Sequence, residues 1–347
     1  MWTAEEPYPD PDDALLAAAE RWVAAFERAR LRSLVGSLPG PRSRLHAPDA
    51  MAATDALLAE AWRAAGWRVG RQRLRFRSVR GSLERLEAGS GGRPLGHTYR
   101  DLRGVNLVAI AEGETAEAVV LVAHHDSVEG SPGADDNGAA LAVLVELAAR
   151  LAGRRFRRTV VLAAPDFEEI GLIGSRPLVR WLRSEFDVRA AVVFDPIGFM
   201  DARPATQRVP AAVERLYPGQ ARRLHERDDR GDTVVGIYRR RSAELVRRWS
   251  RCQAATLGRD RVLQLRDPLD LPIVGPALGL HPVARNFSRS DHVHFWRAGL
   301  PAIHVTNTAN FRSPHYHRPT DAPATLDYET LARIGAATAL LVEDLAC

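Results

Sequence analysis

Apolar positions along the chain change period several times, and each change marks an element. Leu15, Leu16, Ala19, Trp22, Val23 and Phe26 form a helical stripe behind the acidic residues 10–13, which can cap a helix running to about Val35. Gly40 and Pro41 end that segment, and a second stripe predicts a helix over residues 49–66, so residues 10–66 read as a helical N-terminal portion. Over residues 69–76 apolar side chains alternate with Arg and Gln, as in a half-exposed strand. The Gly- and Ser-rich residues 81–96 then read as a loop or hairpin end. Strand-length apolar runs follow at 105–110, 118–123, 159–164 and 190–194, with helical spacing at 139–151 and 176–186 between them. This alternation predicts an α/β fold, a three-layer α/β/α arrangement around a mixed, largely parallel sheet with right-handed crossovers.

Between residues 198 and 287 the pattern degrades, because Pro, Gly and Arg interrupt short helical stretches at 211–216 and 242–255. This segment is expected to be an insertion or lid over the sheet edge of a single domain spanning residues 1–347. Sheet character returns at 301–306, and a helix at 328–345 closes the chain.

Composition narrows the function classes. The chain has 347 residues, 46% of them hydrophobic, enough for a sizeable core. Its net charge of +5 would ordinarily suggest a nucleic-acid partner, but the sequence contains no lysine, so all 48 basic residues are Arg. A general Arg-for-Lys bias accounts for that, and no stretch alternates basic with aromatic residues, so no nucleic-acid partner is expected. Cys252 and Cys347 lie apart from every motif, which argues against a disulfide framework or thiolate metal site. The acidic, proline-broken start lacks the pattern of a signal peptide, and no run of about 18 apolar residues occurs. A cytoplasmic protein without a membrane partner is expected.

The chemistry concentrates in residues 123–138, AHHDSVEGSPGADDNG, between a strand and a helix. In an open α/β sheet such a connection lies at the carboxyl ends of the strands, where ligands bind. His124 and Asp126 project to the same side of an extended chain, so the carboxylate can orient the imidazole. Asp135 and Asp136 stand against the start of the next helix. Glu168 and Glu169 leave the strand at 159–164, Asp195 ends the strand at 190–194, and His317 follows the one at 301–306, with Asp321 four residues on. Converging at one edge, these groups offer two imidazoles and at least four carboxylates without a thiolate. Such a set suits Zn2+, with Mn2+ or Co2+ as alternatives. Two ions about 3.5–4 Å apart would share a bridging carboxylate.

The motifs GPRSRLHAPDA, HHDS, GADDNG, FEEIGLIGS, SDHVHFW and TANFRSPHYHRPTD occur in an order that resembles the co-catalytic zinc aminopeptidases of bacterial leucyl aminopeptidase type. That family also contains glutaminyl cyclases and inactive receptor ectodomains. The resemblance runs from Gly40 to the closing helix and is poor over 198–287. It implies two zinc ions, His124 and Asp195 on one, Glu169 and His317 on the other, and Asp136 between them. Asp126 would orient His124, Glu168 would be the general base for the attacking water, and Tyr316 could donate to the developing oxyanion or merely pack. Asp291 and His292 sit in a family motif without a defined role here; Glu129 and Asp135 are expected to be surface or capping groups. Two departures stand out: Pro196 replaces the usual Met, and His294 stands where Pro is common. The implied activity is hydrolysis of the N-terminal peptide bond of a peptide substrate. The alternatives are cyclase-like acyl transfer at one zinc and a catalytically inactive binding module.

Overall fold

In the computed structural model, which describes residues 5–83, 95–270, 275 and 282–347, the N-terminal portion forms three helices where two are expected: α1 (Asp13–Ala25), α2 (Arg28–Ser37) and α3 (Pro48–Ala64). Asp12 caps α1 by accepting from the Leu15 N–H. The break after α1 has no Gly or Pro to announce it. It lets Phe26 lie over Gly335, where an added Cβ would meet the ring at 2.6 Å. This is a tertiary contact that no local pattern encodes.

Strands β1 (Arg68–Leu83) and β2 (Leu95–Ala111) form a long antiparallel pair, paired as far as Leu83 with Leu95. Most of the expected hairpin end at 81–96 lies outside the described residues. β1 is a sheet edge, and exposed Arg71, Arg73, Arg75 and Arg77 line it, which discourages edge-to-edge association. The chain then runs through β3 (Gly113–Val122), α4 (Ala140–Arg150), β4 (Phe156–Ala164), α5 (Ser175–Glu185) and β5 (Asp187–Phe194). These match the expected runs closely, because strands buried on both faces read as continuous apolar stretches.

Residues 198–287 differ from the expected lid. After α6 (Ala211–Leu216) and α7 (Pro218–His225) they supply β6 (Val234–Tyr238), α8 (Ala243–Leu257) and β7 (Val262–Arg266). Both strands extend the main sheet beyond β8 (Ala302–Thr306). Each is only five residues long and set among arginines, so the local signal is weak. Gly236 in β6 makes room for Trp249 of α8, which would meet a Cβ at 2.6 Å. The helices α9 (His292–Arg297) and α10 (Tyr328–Ala346) complete the chain.

Among the described residues the sheet has eight strands in the order β1-β2-β4-β3-β5-β8-β6-β7. The central β4, β3, β5 and β8 are mutually parallel, while β2 joins β4 and β6 joins β8 antiparallel. One face is covered by α1, α2, α3, α4, α8 and α10, the other by α5, α7 and α9, giving the three expected layers. Cys252 is buried, Cys347 is exposed, and both are free thiols. Among the described residues no helix is long and apolar enough to cross a membrane.

Candidate metal centre

Because β4, β3, β5 and β8 are parallel, the loops that leave them emerge at one edge. His124 and Asp126 lie just past β3, Glu168 and Glu169 past β4, Asp195 directly after β5, and His317 in the loop after β8. His124 Nε2 is 3.1 Å from Asp136 Oδ1 and 3.4 Å from Asp195 Oδ1. His317 Nε2 is 2.9 Å from the other oxygen, Asp136 Oδ2, and 3.5 Å from Glu169 Oε2. Asp136 thus turns one oxygen to each imidazole. Ligand atoms of His124, Glu168 and Asp195 lie within 4.8 Å of one another, as do those of His124, Asp136 and Glu169.

Neighbouring groups hold this arrangement. His124 Nδ1 is 3.1 Å from the Asp126 carbonyl, which can only accept, so this nitrogen carries a proton and Nε2 faces the carboxylates. The Asp126 carboxylate is further off, at 3.5 Å. It accepts instead from the backbone N–H groups of Glu168 and Glu169, each at 3.2 Å. One residue therefore sets both the imidazole and the paired glutamates. Asp321 accepts from the N–H groups of Asp135 and Asp136 at 2.8 and 3.2 Å, holding the first turn after the loop.

Asp135, expected to be a surface or capping group, is buried. It accepts from the N–H groups of Gly198 and Phe199 at 2.6 and 3.0 Å and from Asn307 Nδ2 at 2.9 Å. Loops after β5 and β8 close over it, contacts that a local reading of a helix start cannot include. Burial, with Asp321 nearby, pushes its carboxyl up to about 7. Glu129 is exposed, as expected.

Three basic residues missed in the sequence reading brace the loops. Buried Arg42 donates from Nε to the His125 carbonyl at 3.0 Å, from Nη1 to that of Pro132 at 2.8 Å and from Nη2 to that of Gly133 at 2.9 Å, spanning both ends of the acidic loop. Arg44 joins Asp166 at 2.7 Å to Asp55 at 2.8 Å, and His125 bridges Asp55 and the Pro165 carbonyl. Both arginines lie in a motif, but in a chain this rich in Arg the residue type alone carried no signal.

Tyr316 stacks on His317 with centroids 3.8 Å apart and planes 25° from parallel. His292 is turned away from the cluster: it donates to the Phe287 carbonyl at 2.9 Å and stacks on His304. His304 in turn donates to the Asp195 carbonyl at 2.9 Å. Asp291 is buried, and that burial, with Asp126 and Asp195 nearby, raises its carboxyl to about 7. His294, the departure in the SDH motif, donates to the Leu172 carbonyl at 3.1 Å and ties α9 to the FEEIGLIGS loop.

The donor set fits a metal. Burial drives Glu168 well above the usual carboxylate range, and Asp195, Asp291 and Asp136 add to the effect. Burial opposes a charge on His124, yet Glu168, Asp126, Asp136 and Asp195 hold its pKa well above the ordinary value. Asp136 is held low against burial by its two histidines. Carboxylates outnumber cations in a buried space, an arrangement that calls for compensating positive charge. Hard oxygen and imidazole donors without thiolate match zinc.

Residues 106–229 and 274–342, more than half of the chain, match peptidase family M28. The chain belongs to this family. The resemblance drawn from its motifs is met, and family and donor set together support a metal-dependent peptidase. An M28 chain of this kind has relatives of several descriptions. The Escherichia coli protein YfbL, described as uncharacterized, is 28% identical over 243 residues, 66% of this chain and 67% of that protein. A probable zinc metalloprotease of Leptosphaeria maculans is 27% identical over 258 residues, 66% of this chain and 54% of that protein. Leucine aminopeptidase 1 of Grosmannia clavigera is 25% identical over 290 residues, covering 77% and 60%. The chain thus spans between about half and two thirds of the length of these relatives. Its fold is like that of BSAP, a zinc aminopeptidase from Bacillus subtilis (TM-score 0.65, 15% identity, 92% and 95% of the two chains). It is also like that of the Porphyromonas gingivalis glutaminyl cyclase (TM-score 0.57, 16% identity, 96% and 98%).

Proposed function

We propose that this M28 peptidase is an aminopeptidase, releasing the N-terminal residue of peptides at a centre that holds two zinc ions. The observation that carries this reading is Asp136, whose two oxygens face two different histidines, each with its own further carboxylate. His124 and Asp195 would hold one ion and His317 and Glu169 the other, with Asp136 shared. When bound, the ions supply Lewis acidity, lowering the pKa of water towards neutrality and polarising a carbonyl oxygen.

The protein's own groups do the rest. Glu168, its backbone fixed by Asp126, takes a proton from the attacking water and returns it to the leaving amine. Asp126 and the His304 donor to Asp195 keep the ligands oriented. Tyr316, whose ring stacks on His317, would donate its hydroxyl to the oxyanion as it develops.

The test is a zinc titration of metal-free protein, followed by assays on an aminoacyl anilide and a glutaminyl peptide. Two equivalents bound and release of the amino acid are expected. One equivalent with ring closure of the glutaminyl peptide alone would replace this reading with the cyclase one.

A further inference from the structure

Beside the metal centre lies a cavity of about 310 Å³ whose apolar wall is made by Leu45, Leu83, Tyr99, Val128, Phe167 and Ile170. Asp126 and Glu169 also border it, so it opens on the flank of the reacting site. Its size is at the low end for small-ligand sites and too small for a folded partner. Among the described residues only three large apolar side chains are exposed, and two of them, Leu45 at 42% and Leu83 at 36%, border this cavity.

The cavity is built into the fold. Its floor is a small core of Leu74, Tyr99, Leu102, Phe167 and Ile173, where the β1–β2 pair meets the loop after β4. The Ser82 N–H donates to the Ile170 carbonyl at 2.8 Å. Gly81 approaches that carbonyl so closely that a Cβ would sit 2.3 Å from it. The Tyr99 hydroxyl donates to the Ser82 carbonyl at 3.0 Å. A more open depression around Asp187, Arg241 and Leu300 contains none of the site's residues.

Charge defines what the cavity admits. Arg44 is on its wall but is engaged by Asp166 and Asp55. His46 faces Glu129 at 3.5 Å. With Arg44 engaged and Glu129 and Asp126 on its border, the described lining offers a substrate carboxylate no free guanidinium.

We infer that this cavity is a substrate subsite that takes an aliphatic or aromatic side chain next to the scissile bond and turns away acidic ones. The inference rests on the peptidase reading above. It also places selectivity on the 43–46 segment, the β1–β2 pair and the loops after β3 and β4.

The test uses two peptide series, X-Ala-amide and Ala-X-amide, with X as Ala, Leu, Phe or Asp, assayed on zinc-loaded protein. In one series, wild type is expected to favour Leu and Phe over Ala by about tenfold or more in kcat/KM, with Asp poorest. Leu45→Asp and Leu83→Asp should each cut that Leu-to-Ala ratio by about tenfold in the same series and leave the other series' ratio in place. The series that responds tells whether the bound side chain precedes or follows the scissile bond. Both positions are exposed, and melting temperatures of the two variants confirm that they fold. Ratios that move in neither series, or equally in both, overturn the subsite alone. Absence of any peptide turnover by wild type overturns the peptidase reading and the subsite with it.

Discussion

In the amino-terminal halves of β3, β4 and β5, Glu117 meets Arg158 at 2.6 Å and Arg189 at 3.3 Å, and Arg189 also meets Asp187 at 3.3 Å. All four side chains reach solvent, and each acid has its arginine. At the carboxyl ends of the same strands Asp126, Asp136, Glu168, Glu169 and Asp195 gather around two imidazoles. The arginines nearest to them, Arg42 and Arg44, are engaged by backbone carbonyls and by Asp55 and Asp166. An arginine-rich chain could have neutralised both edges. It does so at one, where each exposed pair is worth at most about 1 kcal/mol. At the other, the carboxylates face one another and two imidazoles, in the arrangement proposed above to hold a cation, and carbonyls and N–H groups orient them.

The largest expected effect lies at the carboxyl edge. Glu168→Gln should lower kcat/KM by about 10²- to 10⁴-fold, with zinc content and melting temperature near wild type. Full activity in that variant would remove Glu168 as the base. Next comes the ion itself. Each metal site filled at about 100 times its Kd adds about 2.7 kcal/mol, so chelation should lower the melting temperature by at least about 2 °C, and zinc should restore it. A scan that chelation leaves unmoved would break the contrast between the edges.

A smaller effect sharpens the boundary between the two regimes. Burial, with Arg297, Arg176 and Arg180 close by, holds His294 down to about 4 from an ordinary 6.5. The unfolded chain therefore takes up this proton first, and stability is full above about pH 6.5 and falls as pH drops towards about 4. His294→Gln should flatten that part of the profile, measured as melting temperature against pH. The smallest effect is at the paired edge. Arg189→Ala should change unfolding free energy by less than about 0.5 kcal/mol in denaturant melts and leave zinc content alone.

What was legible in the chain follows from the range of the forces involved. The central strands and the helices between them could be read because strands buried on both faces demand unbroken apolar runs, and amphipathic helices a 3.6-residue period. The break at Phe26 and the strands β6 and β7 were not legible. The first depends on a notch at Gly335, and the others are five-residue runs, of which β6 pairs with β8 from far along the chain and β7 has only β6 to pair with. Asp135 was misread for the same reason: its partners Gly198, Phe199 and Asn307 come from two other loops.

By itself, the sequence determined which chemistry is present and at which strand ends it leaves the sheet, because parallel strands direct their outgoing loops to one edge. Residue types and their order were enough for that. Only the tertiary structure decided that Asp136 turns one oxygen to each histidine and that Asp126 holds the two glutamates by their backbone. The same holds for Arg42, which closes the acidic loop, and for the cavity beside Glu169, whose wall lies on the 43–46 segment, β1, β2 and the loops after β3 and β4. These are distances between segments far apart in the chain. They are set by how the layers pack, and no pattern within one segment can carry them.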